Sequence, residues 1–166
     1  MAANFTPATP AANFMPLEPW FDRPLIESLI RDLGPQILAH ATEALPEECV
    51  GLIWNDFTIS KLINQARSAE RFSISGAQWT EVVMDKGEAA ELVAIYHSHP
   101  KGNREFSQAD IDVFMDQRKE GYPFAWVVVT PDGYASVMQS REANLFLADN
   151  FTVLIDQYDE ESLRGY

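Results

Sequence analysis

His97-Ser98-His99 places two imidazoles two residues apart at the end of an apolar run. On extended backbone alternate side chains share a face, so both rings can turn toward one ion at ~2.0–2.1 Å. Taken alone, such a pair is also what a strand shows where polar residues leave a core. Its continuation says more: Pro100, six further residues, then Ser107-Gln108-Ala109-Asp110, so the stretch reads H-x-H-P-x6-S-x-x-D. Ser107 to Asp110 is equally a helix start, with Ser107 as N-cap and Asp110 reaching back to the Ser107 amide. The two readings are compatible, because a capped first turn holds Asp110 in place and lets one carboxylate oxygen face a metal. Three protein ligands leave tetrahedral zinc one position for water, which marks a catalytic site and not a closed structural one. Such a site needs a base for the water's proton. The H-E-x-x-H pattern, which would supply that base, is absent here.

Upstream, Glu48-Cys49-Val50-Gly51 completes a set that resembles the JAMM (MPN+) metallopeptidases: E-x-x-G on an early strand, then H-x-H-P, then S-x-x-D at this spacing. The resemblance implies zinc held by His97, His99 and Asp110, with Glu48 as general acid/base and Ser107 stabilising the oxyanion. It also implies the three-layer α/β/α, cytidine-deaminase-like fold of that family. Glu47 rivals Glu48, but only Glu48 keeps the E-x-x-G register, and neighbours on a strand face opposite sides. Ser98, between the two histidines, should point away from the metal in a supporting role. Lys101, Gly102, Asn103 and Arg104 form a rim, read either as substrate contacts or as a solvated loop. The resemblance spans roughly Pro46 to Met138. Within the family it is nearest to the JAMM domain of phage tail assembly proteins, through Phe72-Ser73-Ile74-Ser75 ahead of a Trp79-bearing helix and Glu91 to Tyr96 ahead of the histidines.

The elements that must position these residues follow from periodicity. Leu25, Leu29, Ile30, Leu33, Ile37 and Leu38 recur at helical spacing from Pro24 onward, with Gly34-Pro35 expected to split or kink the helix. His40, near its end, reads as a surface residue outside the metal site. Strands are expected at Cys49–Trp54, Thr58–Asn64, Phe72–Ile74, Leu92–Tyr96, Phe124–Thr130 and Tyr134–Met138, the last two joined by the hairpin signal Pro131-Asp132-Gly133. Helices are expected from Gly76 to about Lys86 and from Gln108 to about Arg118, and an edge strand at Phe151–Ile155. Helices and strands interleave around a small mixed sheet flanked by helices, an α+β arrangement in three layers. The domain reading is an extended Pro/Ala/aromatic arm over residues 1–22, a metallopeptidase domain over 23–145 and an acidic extension over 146–166.

Composition limits the partners. A formal net charge of −13 repels phosphate backbones and anionic membrane surfaces, and no run of about 18 apolar residues could span a bilayer. Neither nucleic acid nor a membrane span is expected; a protein or peptide substrate is, together with other phage tail proteins. Cys49 is the single cysteine and reads as a small buried hydrophobe. The N-terminus lacks a basic n-region with an uninterrupted apolar segment, pointing to cytoplasmic synthesis and, in the phage setting, incorporation in a virion tail. In the arm, Ala2-Ala3-Asn4-Phe5 returns as Ala11-Ala12-Asn13-Phe14, which suggests paired aromatic anchors for a partner; a solvated tail is the alternative. Three functions stay open: a zinc peptidase acting on an amide or isopeptide bond, a structural subunit whose site is incidental, and a deconjugase of a ubiquitin-like or sulfur-carrier protein.

Overall fold

The computed structural model describes residues 23–120, 122 and 124–138, and the strands 145–148 and 152–155. The arm at 1–22 and the acidic end beyond 155 lie outside the described residues. The chain opens with α1 (Arg23–Ala44), then β1 (Val50–Trp54), β2 (Thr58–Leu62), α2 (Gly76–Lys86), β3 (Leu92–Ser98), α3 (Gln108–Lys119), β4 (Ala125–Val129), β5 (Ala135–Met138), β6 (Leu145–Ala148) and β7 (Thr152–Ile155). The strands form one sheet in the order β2-β1-β3-β4-β5-β6-β7. It is mixed: β3 and β4 run parallel, with α3 in the crossover between them, and the other neighbours are antiparallel.

Helices cover both faces, giving the α/β/α layering. Strands β1, β3, β4 and β5 are buried at every position, as strands covered on both faces must be. On one face Ile26, Leu29, Ile30, Leu33 and Ile37 of α1 pack against Ile53, Val93, Tyr96, Val127 and Val137. Each such side chain contributes ~1.5–3 kcal/mol by leaving water. On the other face Trp79 and Val83 of α2 and Ile111 and Phe114 of α3 cover Val50, Leu52, Ile95, Trp126 and Val128.

Two sequence expectations are corrected. Gly34-Pro35 does not split α1, which runs unbroken with Pro35 inside it. Pro35 is exposed while Gly34 faces the core, so the carbonyl that loses its intrahelical partner lies on the watered side. Phe72–Ile74 is not a strand, although Phe72 and Ile74 are buried and Ser73 between them is not. The alternation is that of an extended segment without a ladder; its backbone is held instead by Ser73 O accepting from Gln65 N at 2.9 Å and Ser73 N donating to Asn64 Oδ1 at 3.1 Å. The Pro131-Asp132-Gly133 turn does form, with Gly133 at φ 89° between β4 and β5, a conformation easily reached without a Cβ. The C-terminal strand begins at Thr152 and is the last strand of the sheet, joined to β5 through β6, a strand the periodicity had not suggested.

Candidate metal centre

His97 lies near the end of β3 and His99 just beyond it, where the extended backbone continues: His99 N donates to Val129 O at 2.9 Å. Asp110 stands in the first turn of α3. The topology brings all three to one end of the sheet. His97 is fully buried, and Asp110 and His99 are buried as well. The ring nitrogens Nε2 of His97 and His99 are 3.3 Å apart, and Asp110 Oδ2 is 3.2 Å from the first and 3.3 Å from the second. Four ligands at ~2.0–2.1 Å from a tetrahedral ion stand ~3.3–3.4 Å from one another, so this triangle has the dimensions of one face of a zinc tetrahedron.

The protonation states agree with that donor set. His99 Nδ1 lies 2.8 Å from Asn103 O, a group that only accepts, so Nδ1 carries a proton and leaves Nε2 as the nitrogen available to a metal. Burial lowers the His97 pKa, against the opposing pull of Asp110, and keeps that ring neutral. For Asp110 burial alone would raise the pKa, but a proton carried on either imidazole beside it outweighs burial and holds the carboxyl well below the usual carboxylate range, so Asp110 is the anionic member of the trio and a cation takes the place of that proton. Three lone-pair donors thus converge at contact distance with few protons to share. A cation is the group that relieves such a cluster. His97, His99 and Asp110 are the trio of described residues able to hold a metal ion.

Ser107 and Asp110 form the capping box. Asp110 N donates to Ser107 Oγ at 3.1 Å and Ser107 N donates to Asp110 Oδ2 at 3.0 Å. The oxygen that caps is the same one that faces the imidazoles, whereas the sequence suggested a division of labour between the two oxygens. Ser107 Oγ accepts from the helix and keeps its own proton for another acceptor.

Glu48 precedes β1 and is buried, with Oε1 lacking a hydrogen-bond partner among the described residues. Its pKa is pushed up to about 9, chiefly by burial, with the negative charges of Asp110 and Glu70 adding to it. No ladder holds this residue. Its N–H donates to Ser68 O at 2.8 Å, and the next amide, Cys49 N, donates to Ser98 Oγ at 2.8 Å. Ser98 therefore takes the expected supporting role, tying the ligand strand to the segment that carries Glu48. Gly51 of the same motif is explained by Tyr96, its neighbour across β1 and β3: a Cβ at Gly51 would sit 2.3 Å from the Tyr96 ring. Tyr96 points to the α1 face, where its hydroxyl lies 2.7 Å from Nδ1 of His40. His40 is thus half-buried and bonded, not a plain surface residue, and burial followed by nearby Lys61 lowers its pKa.

Sequence reasoning passed over the pieces that surround the ligands. Phe72 lies with its ring 4.9 Å from the His97 ring, and Trp126 and Phe106 pack at 5.8 and 6.2 Å, so aromatic walls orient an imidazole whose Nδ1 has no partner among the described residues. Asn64 is buried beside Glu48 and bonded at every position of its amide. Lys101 and Arg104 of the rim are engaged with Glu70 and Asp132, each at 2.8 Å. Only the burial alternation around Phe72 was visible as a sequence signal. A groove of about 610 Å³ opens beside Glu48, between the end of α1 (Ala44) and Leu62, Ile63, Asn64 and Arg67.

Comparison with known proteins agrees with the fold. The solution structure of a protein from Desulfitobacterium hafniense is similar, with a TM-score of 0.50 and 20% identity over 74% of this chain and 84% of that one. No curated protein sequence matches. Residues 31–144 match the family Prok-JAB, prokaryotic homologs of the JAB domain, and that span holds Glu48, both histidines and the capped aspartate: the chain belongs to this family.

Proposed function

We propose that the protein is a zinc-dependent hydrolase of amide or isopeptide bonds in a protein or peptide substrate. The observation that carries this reading is the triangle of His97 Nε2, His99 Nε2 and Asp110 Oδ2, spaced at 3.2–3.3 Å, together with the buried carboxyl of Glu48, which feels the charge of Asp110. Zinc bound there supplies a Lewis acid and lowers the pKa of water toward ~7. The rest of the chemistry falls to the chain's own groups. The positive charge of a cation held by the trio would offset the burial that raises the Glu48 pKa, and in its ionised form Glu48 takes the proton of the attacking water. Its high proton affinity, a consequence of burial, then suits it to return that proton to the leaving amine. Ser107 Oγ, anchored by the Asp110 amide, donates to the oxygen that gains charge as the carbonyl is attacked. The aromatic walls of Phe72, Phe106 and Trp126 exclude water from the side of His97 away from the substrate.

The setting we favour is phage tail assembly, on the run from Phe72 to Ser75 and the stretch Glu91 to Tyr96. Elemental analysis of the purified chain should give one zinc per molecule. A peptide or isopeptide reporter should be cleaved by the native chain and not by the Glu48→Gln protein carrying equal zinc. Equal cleavage by both would exclude Glu48 as the base and with it this mechanism.

A further inference from the structure

Asn64 is 8% exposed and its amide uses all of its hydrogen-bonding capacity on backbone. Nδ2 donates to Glu48 O and to Arg71 O, each at 3.0 Å. Oδ1 accepts from Ala66 N at 2.9 Å and from Ser73 N at 3.1 Å. Two donors face carbonyls and two acceptor sites face amides, so the pattern fixes which atom is nitrogen. Aspartate could supply only the acceptors, serine is too short for four partners, and glutamine would displace them. The partners are the significant part. Glu48 lies outside the β1 ladder, and Asn64 holds its carbonyl. Arg71 and Ser73 flank Phe72, the ring packed on His97. One side chain therefore spans the base and the wall of a metal ligand, two groups that no shared strand or helix connects.

We propose that Asn64 is a positioning residue that sets where the Glu48 carboxyl stands relative to the metal, an inference that rests on the hydrolase reading above. Without its two donors the Glu48 carbonyl and the Arg71 carbonyl are released, and the base loses its fixed distance to the water. The three metal ligands, built on β3 and α3, keep their geometry.

The test compares the full-length native chain with Asn64→Asp, and with Asn64→Ala should the aspartate variant not fold. Each is loaded with zinc for kinetics and with cobalt(II) for absorption spectra followed against pH. Expected are one metal per chain in every protein, KM within about threefold of native, kcat lower by about ten- to a hundredfold, and a displaced midpoint of the cobalt spectral transition. The size of the kcat effect follows misplacement of a general base, whose whole contribution is ~10²–10⁴. A variant that melts earlier but keeps native kcat and the native cobalt midpoint shows that Asn64 is merely structural and overturns the proposal alone. A native chain with neither hydrolysis nor a cobalt transition that Glu48→Gln alters overturns the hydrolase reading, and this proposal with it.

Discussion

His99 and Glu48 reach the same small region by opposite means. The ligand half of the site is built on regular structure: the end of β3, whose register against β4 is fixed by the ladder, and a first helical turn closed by its own capping box. The base half rests on single hydrogen bonds at irregular backbone: Glu48 N donates to Ser68 O, Asn64 Nδ2 donates to Glu48 O, Cys49 N donates to Ser98 Oγ and Ser98 N donates to Cys49 O. The difference teaches that, under the proposed function, metal affinity and turnover depend on different parts of the chain. Substitutions in one half should leave the property of the other standing.

The strongest test strikes the ligands. His99→Ala removes one of three donors and should take zinc from one per chain to near zero after dialysis against a mild chelator, with hydrolysis at background. The fold should persist, because both cores are built from apolar side chains and not from the three ligands. Full zinc occupancy in that variant would mean the triangle is not the metal site. Next in size is Glu48→Gln. The amide keeps the volume but cannot accept a proton, so kcat should fall by ~10²–10⁴ with zinc unchanged. Loss of zinc instead would make Glu48 a ligand and dissolve the division between the halves. Ser107→Ala touches both, since Ser107 caps α3 and, in the proposed mechanism, donates to the oxyanion. It should lower kcat by on the order of 10²-fold and cost ~1 kcal/mol of stability in a denaturation curve. A change in stability without a change in rate would confine Ser107 to the helix.

The same division explains what could be read from the sequence. The ligand half was legible because its spacing is local: alternation on extended backbone sets His97 and His99 together, and a cap pattern sets Asp110. Glu48 emerged only through its register to Gly51, and the reason for that glycine, the Tyr96 ring, lies across the sheet. Asn64 was invisible as a positioning group, since Asn-Gln-Ala-Arg reads simply as the end of a strand and a turn. Its partners are up to 16 residues away and are backbone atoms, which carry no residue identity. Phe72–Ile74 misled for the converse reason: burial alternated as in a strand, but side-chain and turn hydrogen bonds replaced the ladder.

Gly51→Ala sharpens the comparison from the opposite face. A methyl group there would overlap the Tyr96 ring, so the ring or β1 must shift, at a cost of ~1–3 kcal/mol as for other overpacked cores. Tyr96 points toward α1 and His97 toward α3, so urea denaturation should show the loss while zinc stoichiometry holds. Turnover should fall modestly, through the two residues, Cys49 and Val50, that separate Gly51 from Glu48. If zinc binding falls as much as stability, the ligand strand is not independent of the face behind it.

The smallest effect comes from Glu70, which bonds Lys101 at the exposed rim and is one of the charges that raise the Glu48 pKa. Glu70→Gln breaks an exposed ion pair, a kind of contact with little bearing on stability, so the melting curve should barely move. The effect on Glu48 has a definite sign. Removing a negative charge makes it easier for Glu48 to ionise, so its pKa falls, and the acid limb of kcat/KM, which reports the base, moves to lower pH by a fraction of a unit. The displacement should shrink as salt is raised, because an exposed charge is screened over ~8–10 Å at moderate ionic strength, whereas the burial that dominates the Glu48 shift is not. An acid limb that moves upward, or one that is indifferent to salt, would mean that Glu70 acts by holding the 65–73 segment in place and not through its charge. The base half would then depend on that loop's shape alone.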